Sequence, residues 1–521
     1  MTRRRAALLL AAALFSVSAT PPPASVDLLI RGGTVFSGDG PGFVGDVAVD
    51  GDRIHAVGRR LAVAGRRVLD ARGMIVAPGF IDPHTHAGEQ LRSPEAEARL
   101  MSAFLMQGVT TAFIGNDGRG APDAADVLAG AGRRPVGINY ATFVGLDPVR
   151  RQVLGEADRA PTAAELQRMK ALVAGAMCQG ALGFSTGLFY PPQSFAGTEE
   201  VVELAREAAL RGGVYDTHIR DESSYSVGLA AAVDEAIEVG RRAGLPVNIS
   251  HIKALGVDVL GQAPAIIARI EAARRAGQRV TADQYPWSAS GTTLVAALVP
   301  AWALDGGRAA LLRRLDDPSA AARLRGEMAE NLRRRGGAGA LLLTGGDHRG
   351  RTLAEVAADG GQDAVAAAQA VIRRHDPPVA SFNQTEGDIA AFMRRPWVMT
   401  GSDASAGHPR AFGSFARKYR EYVVRRKVIT LRAFVERSSS LTADTFGLAD
   451  RGRLRPGAIA DILVFDPRRY AERATYEQPT LHAEGVRAVL VNGVLAVENG
   501  ALTGAAAGRA LARTPPKGTC P

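Results

Sequence analysis

The chain is poor in cysteine and in lysine. Cys178 and Cys520 are the whole cysteine complement of 521 residues, so no disulfide framework underlies the fold and both are read as inert thiols. Five lysines (170, 253, 418, 427 and 517) stand among 63 basic residues. The arginines are scattered through Ala-rich stretches such as Arg274-Arg275 and Arg333-Arg334-Arg335. Basic clusters interleaved with aromatics are missing, so no nucleic-acid partner is expected despite a formal charge of +10. No apolar run is long enough to hold a stable bilayer span. The most apolar one, residues 6–15, follows Arg3-Arg4-Arg5 and precedes Pro22-Pro23. This pattern reads as a bacterial-type secretory signal peptide over residues 1–25 and predicts export to the periplasm or beyond. An uncleaved anchor is the alternative.

Composition is otherwise that of a globular protein, 46% apolar and 22% charged, and the length calls for two or three domains. Short strands separated by Gly-rich turns open the chain, among them Val26-Asp27-Leu28-Leu29-Ile30-Arg31 and Asp46-Val47-Ala48-Val49. A matching set closes it, around Ala460-Asp461-Ile462-Leu463-Val464-Phe465 and Val486-Arg487-Ala488-Val489-Leu490-Val491. The two ends, 26–79 and 446–510, are therefore expected to pair as one small discontinuous β-sandwich domain, followed by a tail at 511–521. Between them strands and helices alternate, which predicts parallel βα units. Eight candidate strands are present: the one entering His84, then 109–114, 137–144, 181–185, 214–218, 247–251, 280–285 and 398–403. The fold class expected is thus α/β, a (β/α)8 TIM-like barrel over 80–445. The long gap between strands seven and eight holds an insertion at about 300–380, a candidate lid.

Polar residues collect at the ends of these strands. Strand one leads to His84 and His86, strand two to Asn116-Asp117, strand five to His218, strand six to His251 and strand eight to Asp403. Two histidines one residue apart on an extended segment share a face. Together the strand ends bring four imidazoles and two carboxylates to one rim, a donor set suited to Zn²⁺. Such a set supports hydrolysis of an amide or related C–N bond, with Asp403 moving the proton between water and leaving amine. Gly183-Phe184-Ser185-Thr186-Gly187 fits the nucleophile-elbow pattern of serine hydrolases. It is followed by Leu188-Phe189-Tyr190-Pro191-Pro192, however, which does not open a helix as that elbow requires. Ser185 is read instead as shaping the pocket floor.

The run Ala77-Pro78-Gly79-Phe80-Ile81-Asp82-Pro83-His84-Thr85-His86, the single histidines on strands five and six and the aspartate on strand eight resemble the amidohydrolase superfamily. Within it the chain most resembles the N-acyl-D-amino-acid deacylases (D-aminoacylases), from about residue 26 to 509. The resemblance rests on residues 183–192, Thr217-His218-Ile219-Arg220-Asp221-Glu222, Ser250-His251-Ile252-Lys253 and His408-Pro409-Arg410. It implies that His84 and His86 ligate one metal position, Asp117 bridges, and His218 and His251 hold the tighter zinc, with one or two zinc ions per chain. Asp403 would be the general acid/base. Tyr190, Lys253 and Tyr285 would lie near the substrate's carboxylate or scissile carbonyl, and Ser185, Arg220, His408 and Arg410 join them as substrate-binding candidates. The implied activity is hydrolysis of N-acyl-D-amino acids, small-molecule substrates. Another N-acyl amino acid, a dipeptide, a cyclic amide, or a non-catalytic scaffold role are the alternatives. The chain departs from the family in carrying Asp117 where a cysteine is usual, in lacking a histidine after strand three (Gly145-Leu146-Asp147-Pro148), and in the loop at 285–291. An aspartate is a harder ligand than a thiolate, which bears on metal preference and stoichiometry.

Overall fold

The computed structural model describes residues 25–520. The signal-peptide reading therefore lies outside the described residues, apart from Ser25, which opens a strand. No helix among the described residues is long and apolar enough to cross a membrane.

Eight parallel strands form the barrel: β1 (Phe80–Asp82), β2 (Val109–Ile114), β3 (Asn139–Thr142, resuming at Val144–Gly145), β4 (Gly183–Gly187), β5 (Val214–His218), β6 (Val247–Ile249), β7 (Val280–Gln284) and β8 (Val398–Thr400). Each pairs in parallel with the next. The ring closes where Thr85 bridges Ala404, flanked by Asp403 N–H donating to His84 O and His86 N–H to Ala404 O, both at 2.9 Å. Strands covered on both faces need little alternation, and every residue of β2 is buried. The outer helices bury one stripe each. Ala163–Cys178 starts at a capping box between Thr162 and Glu165 and turns Met169, Val173, Ala176 and Met177 inward, the spacing of one helical face.

The chain ends meet as expected from their composition. Ile75–Pro78 pairs antiparallel with Ile462–Phe465, which joins both halves in one nine-stranded sheet. Leu28, Ile30 and Val47 from the first half pack with Ile462, Val464 and Leu490 from the second. The insertion spans Ala289–Thr293 to Pro378–Phe382, which pair antiparallel, with Leu341–Leu343 as a third strand. Helices including Gly307–Asp316 and Pro318–Arg334 cover it, around a separate core of Leu298, Leu311, Leu324, Met328 and Val371.

One expectation is corrected. Cys178 and Cys520 form a disulfide across 342 residues of sequence, with Cα atoms 5.7 Å apart. The tail makes this possible by running back along the barrel: Leu511 N–H donates to Tyr140 O and Arg513 N–H to Gly180 O. Gly180 lies two residues beyond Cys178. Two cysteines so far apart in sequence carry no sign of their pairing; the path of the tail decides it.

Candidate metal centre

The cluster forms at and just past the strand ends, with His218 the last residue of β5 and the other five beyond their strands. β1 stops at Asp82, β2 at Ile114, β6 at Ile249 and β8 at Thr400, so His84, His86, Asp117, His251 and Asp403 all stand on the first residues of the following loops. Three of them, Asp117 (φ 54°), His251 (φ 36°) and Asp403 (φ 50°), adopt left-handed backbone. That conformation turns the chain sharply across the rim and costs a non-glycine residue on the order of 1 kcal/mol or more. The surrounding hydrogen bonds hold it. Asn116 Nδ2 donates to Pro83 O at 2.9 Å and to Asp216 Oδ2 at 3.1 Å, while Thr85 Oγ1 donates to Phe113 O at 2.6 Å. Gln193 Nε2 donates to Asp117 O at 2.9 Å. The next residue must be glycine: at Gly118 (φ 70°) a Cβ would fall 1.9 Å from Gln193 Oε1.

Asp117 occupies the centre. Its carboxylate oxygens lie 3.3 Å from His84 Nε2, 3.4 Å from His86 Nε2, 3.7 Å from His218 Nδ1 and 3.4 Å from His251 Nε2. Asp403 Oδ1 is 3.1 Å from His86 Nε2 and 3.7 Å from His84 Nε2, and its Oδ2 is 2.6 Å from Arg410 Nη1. All six side chains are buried except His86, which is partly open to the pocket. Burial alone would raise the pKa of Asp117, but His84, His251 and His86 hold it well below the usual carboxylate range. Asp403 is likewise driven down against its burial, chiefly by Arg410 and His251. Burial pushes His218 down to about 4.

The donor set fits a divalent metal. His84 Nε2 and Asp117 Oδ1 are buried and take no hydrogen bond from the protein. His84, His86 and Asp117 bring ligand atoms within 4.8 Å of one another, as do Asp117, His218 and His251, and as do His84, His251 and Asp403. Two nitrogens and a shared carboxylate on either side of Asp117 suit zinc, which leaves buried lone pairs satisfied that would otherwise be costly.

The remaining candidates divide into those that face the pocket and those that do not. Tyr190, Arg220, Lys253, Tyr285, His408 and Arg410 line a pocket of about 1280 Å³ that also exposes His86, Asp117, His218, His251 and Asp403. The Tyr190 ring packs 4.8 Å from that of His218, and burial raises its hydroxyl pKa. Lys253 Nζ lies 2.5 Å from Glu222 Oε1 and 2.7 Å from His251 Nδ1, and 5.6 Å from the Tyr285 ring centre. The Tyr285 hydroxyl accepts from Gln384 Nε2 at 3.1 Å. His408 donates through Nε2 to Ala289 O at 3.1 Å and so fixes the first residue of the insertion. Arg220 is held by Glu235 and by two carbonyls, Ser194 O and Ala196 O. Ser185 sits beneath the pocket: it is fully buried inside β4, accepts from Gly118 N–H at 3.1 Å and donates to Asp216 Oδ2 at 3.1 Å. A nucleophile elbow is thereby excluded, since the serine lies mid-strand with its hydroxyl engaged.

Sequence reasoning gave no role to the buried carboxylates under and beside the cluster. Glu222 neutralises Lys253 and lies 3.1 Å from His251 Nδ1. Asp82 Oδ1 accepts from His84 N–H at 3.2 Å and Ser402 N–H at 3.0 Å, tying β1 to β8. Asp283 Oδ1 accepts from His251 N–H at 2.9 Å. Asp82, Asp216 and Asp283 are fully buried within barrel strands, and an acidic residue inside a strand covered on both faces is the sign that marks them.

Comparison with known proteins agrees with this geometry. The amidohydrolase family model matches residues 67–497. A D-aminoacylase of Alcaligenes xylosoxydans xylosoxydans is 35% identical over 517 residues, 94% of this chain and 98% of that protein. A crystal structure of D-aminoacylase superposes with a TM-score of 0.81 at 34% identity, covering 94% of this chain and 100% of the other. The N-acyl-D-glutamate deacylase of Bordetella bronchiseptica, solved with zinc and a phosphonate mimic of the tetrahedral intermediate, gives 0.80 at 32% identity over 94% and 100% of the two chains. The chain belongs to the amidohydrolase family, in its N-acyl-D-amino-acid deacylase branch.

Proposed function

We propose that the chain is a zinc-dependent hydrolase of the amide bond of N-acyl-D-amino acids, releasing a carboxylate and a D-amino acid. The observation that carries this reading is the Asp117 carboxylate set among four imidazoles with Asp403 at the edge of the pocket. His84, His86, Asp117, His218 and His251 would hold the metal. Zinc so held supplies Lewis acidity, polarising a carbonyl and making water acidic enough to attack at neutral pH.

The protein's own groups supply the rest. Asp403, its Oδ2 fixed by Arg410, keeps Oδ1 on the cluster side. It takes a proton from the attacking water and delivers it to the amide nitrogen as the C–N bond breaks, so the amine leaves neutral and the acyl group keeps the new oxygen. The protonated Tyr190 hydroxyl is a donor for the acyl oxygen, and burial keeps it protonated. Lys253, with Tyr285 and Arg410 beside it, faces the substrate's α-carboxylate; its pairing with Glu222 fixes the ammonium in place before substrate arrives. Assay of both enantiomers of a small panel of N-acyl amino acids, with and without a chelator, tests the reading. Hydrolysis of the D forms that a chelator abolishes is expected; preference for L forms, or turnover indifferent to chelation, overturns it.

We also propose that the protein is exported after removal of its signal peptide. The Arg3-Arg4-Arg5 and apolar run at 6–15 support this, as does the Cys178–Cys520 bond, which belongs to an oxidising compartment. The mass of the protein recovered from the periplasm or medium checks it: a chain lacking about the first 25 residues is expected, and a full-length cytoplasmic product contradicts it.

A further inference from the structure

Five cations of the pocket wall are buried or half-buried, and four already have an acidic partner. Lys253 pairs with Glu222, Arg410 with Asp403, Arg220 with Glu235 and Arg334 with Glu330. Arg335 is the fifth. It is 2% exposed, and among the described residues no carboxylate pairs with it. Its one hydrogen bond runs from Nε to Ala297 O at 3.0 Å, and Nη1 is buried without a protein acceptor. A guanidinium set into a protein wall with no counter-charge is unfavourable unless an anion completes it.

The groups around Arg335 are donors as well. Its Cζ lies 5.6 Å from the centre of the Tyr225 ring, and that of Arg334 lies 5.7 Å from the same ring. The Tyr225 hydroxyl is buried and unbonded, whereas Arg334 is already engaged, through Nε with Glu330 and through Nη1 with Asn331 Oδ1. Burial raises the pKa of Tyr225, which leaves it a proton donor across the neutral range. The helix Pro318–Arg334 ends here, and its C-terminus holds Arg335 N–H on Asn331 O. The position is tied to the metal cluster by packed rings: Tyr225 meets Phe189 edge-on at 5.5 Å, and Phe189 packs 5.8 Å from His218. Arg335, Arg334, Tyr225, Phe189 and His218 all line the same pocket.

We infer that Arg335, with Tyr225, forms an anion subsite that binds a second carboxylate of the substrate, remote from the scissile amide. The planar guanidinium matches a carboxylate in two-point contact, and the tyrosine adds a neutral donor. The second carboxylate has two chemical sources, the side chain of an acidic D-amino acid or the far end of a dicarboxylic acyl group. The inference rests on the deacylase reading and selects within it the substrates that carry an extra negative charge.

Four substrates decide it on the purified metal-loaded enzyme: N-acetyl-D-glutamate against N-acetyl-D-glutamine, and N-succinyl-D-alanine against N-butanoyl-D-alanine. The kcat/KM of one acidic member should exceed that of its neutral counterpart at least about tenfold, the order expected of a charge-assisted contact. The pair that shows the preference identifies the source of the carboxylate. Arg335→Met should bring that ratio close to one, and Tyr225→Phe should lower it about threefold; a merely structural role would depress both members of a pair alike and leave the ratio intact. Hydrolysis of the neutral members with no acidic preference overturns the subsite while the deacylase reading stands. Hydrolysis of none of the four overturns both.

Discussion

At the scale of residues, the cluster depends on where strands stop. The spacing of His84 and His86 made their shared face legible, and single histidines after β5 and β6 pointed to the same rim. Their acidic supports were harder to read. Glu222 lies in a motif whose histidine drew the attention, and only burial beside Lys253 gives it a role. Burial alone would raise the pKa of Glu222, yet Lys253, His218 and His251 hold it below the usual range. Glu222→Gln leaves that ammonium buried and unpaired, and is expected to destabilise the protein by about 3 kcal/mol, measured by denaturant unfolding against the parent. Asp403→Asn removes the proposed proton carrier while keeping the side-chain shape. Its turnover should fall on the order of 10²–10⁴-fold with metal content retained, checked by kcat alongside metal analysis of the same sample. Near-normal turnover would remove Asp403 from the mechanism.

Among the elements, the barrel strands and the paired ends were visible in the sequence because apolar segments of strand length alternate with helical ones. The insertion was visible as a gap, but not its construction. Its sheet starts at Ala289, immediately after the β7 loop, in a Ser- and Thr-rich stretch that carries no strong strand pattern, and its partner Pro378–Phe382 is nearly 90 residues on. What docks the insertion on the barrel is also a matter of tertiary contact. Arg333 at the end of Pro318–Arg334 makes two bonds, 2.9 and 2.8 Å, to Asp258 in the loop after β6, and Ser224 Oγ donates to the same carboxylate at 2.6 Å. These bonds lower the pKa of Asp258 to about 2. An aspartate whose folded pKa lies below its unfolded value, about 3.9, stabilises above that value and loses the contribution as pH falls through 2. Asp258→Asn should therefore melt below the parent from pH 7 to about 4, with the gap closing by about pH 2. Thermal unfolding of both proteins across that range is the check, and a gap independent of pH would contradict it.

Taken whole, the molecule is a barrel gripped by its own two ends. The first and last strands share one sheet, and the tail beyond it returns under the barrel to Cys178. Asp461 anchors this arrangement, accepting from Asn139 Nδ2 on β3 at 3.0 Å and from Asn492 N–H at 2.7 Å, with Arg451 as its ion-pair partner. Closing so long a loop restricts the unfolded chain, so Cys520→Ser is expected to lower stability by about 2–4 kcal/mol, with kcat unchanged because neither cysteine lines the pocket. The family was legible throughout, since its motifs sit where the strands deliver them; the disulfide was not, because nothing local to either cysteine records the path of the tail.

Metal dependence is the claim on which the rest stands, and titration of metal-free enzyme with zinc tests it most directly. With an N-acetyl-D-amino acid as substrate, turnover should be near zero after chelation and dialysis and should return in proportion to zinc bound, saturating at one or two equivalents per chain. Full turnover in protein shown by elemental analysis to hold no metal would contradict the account.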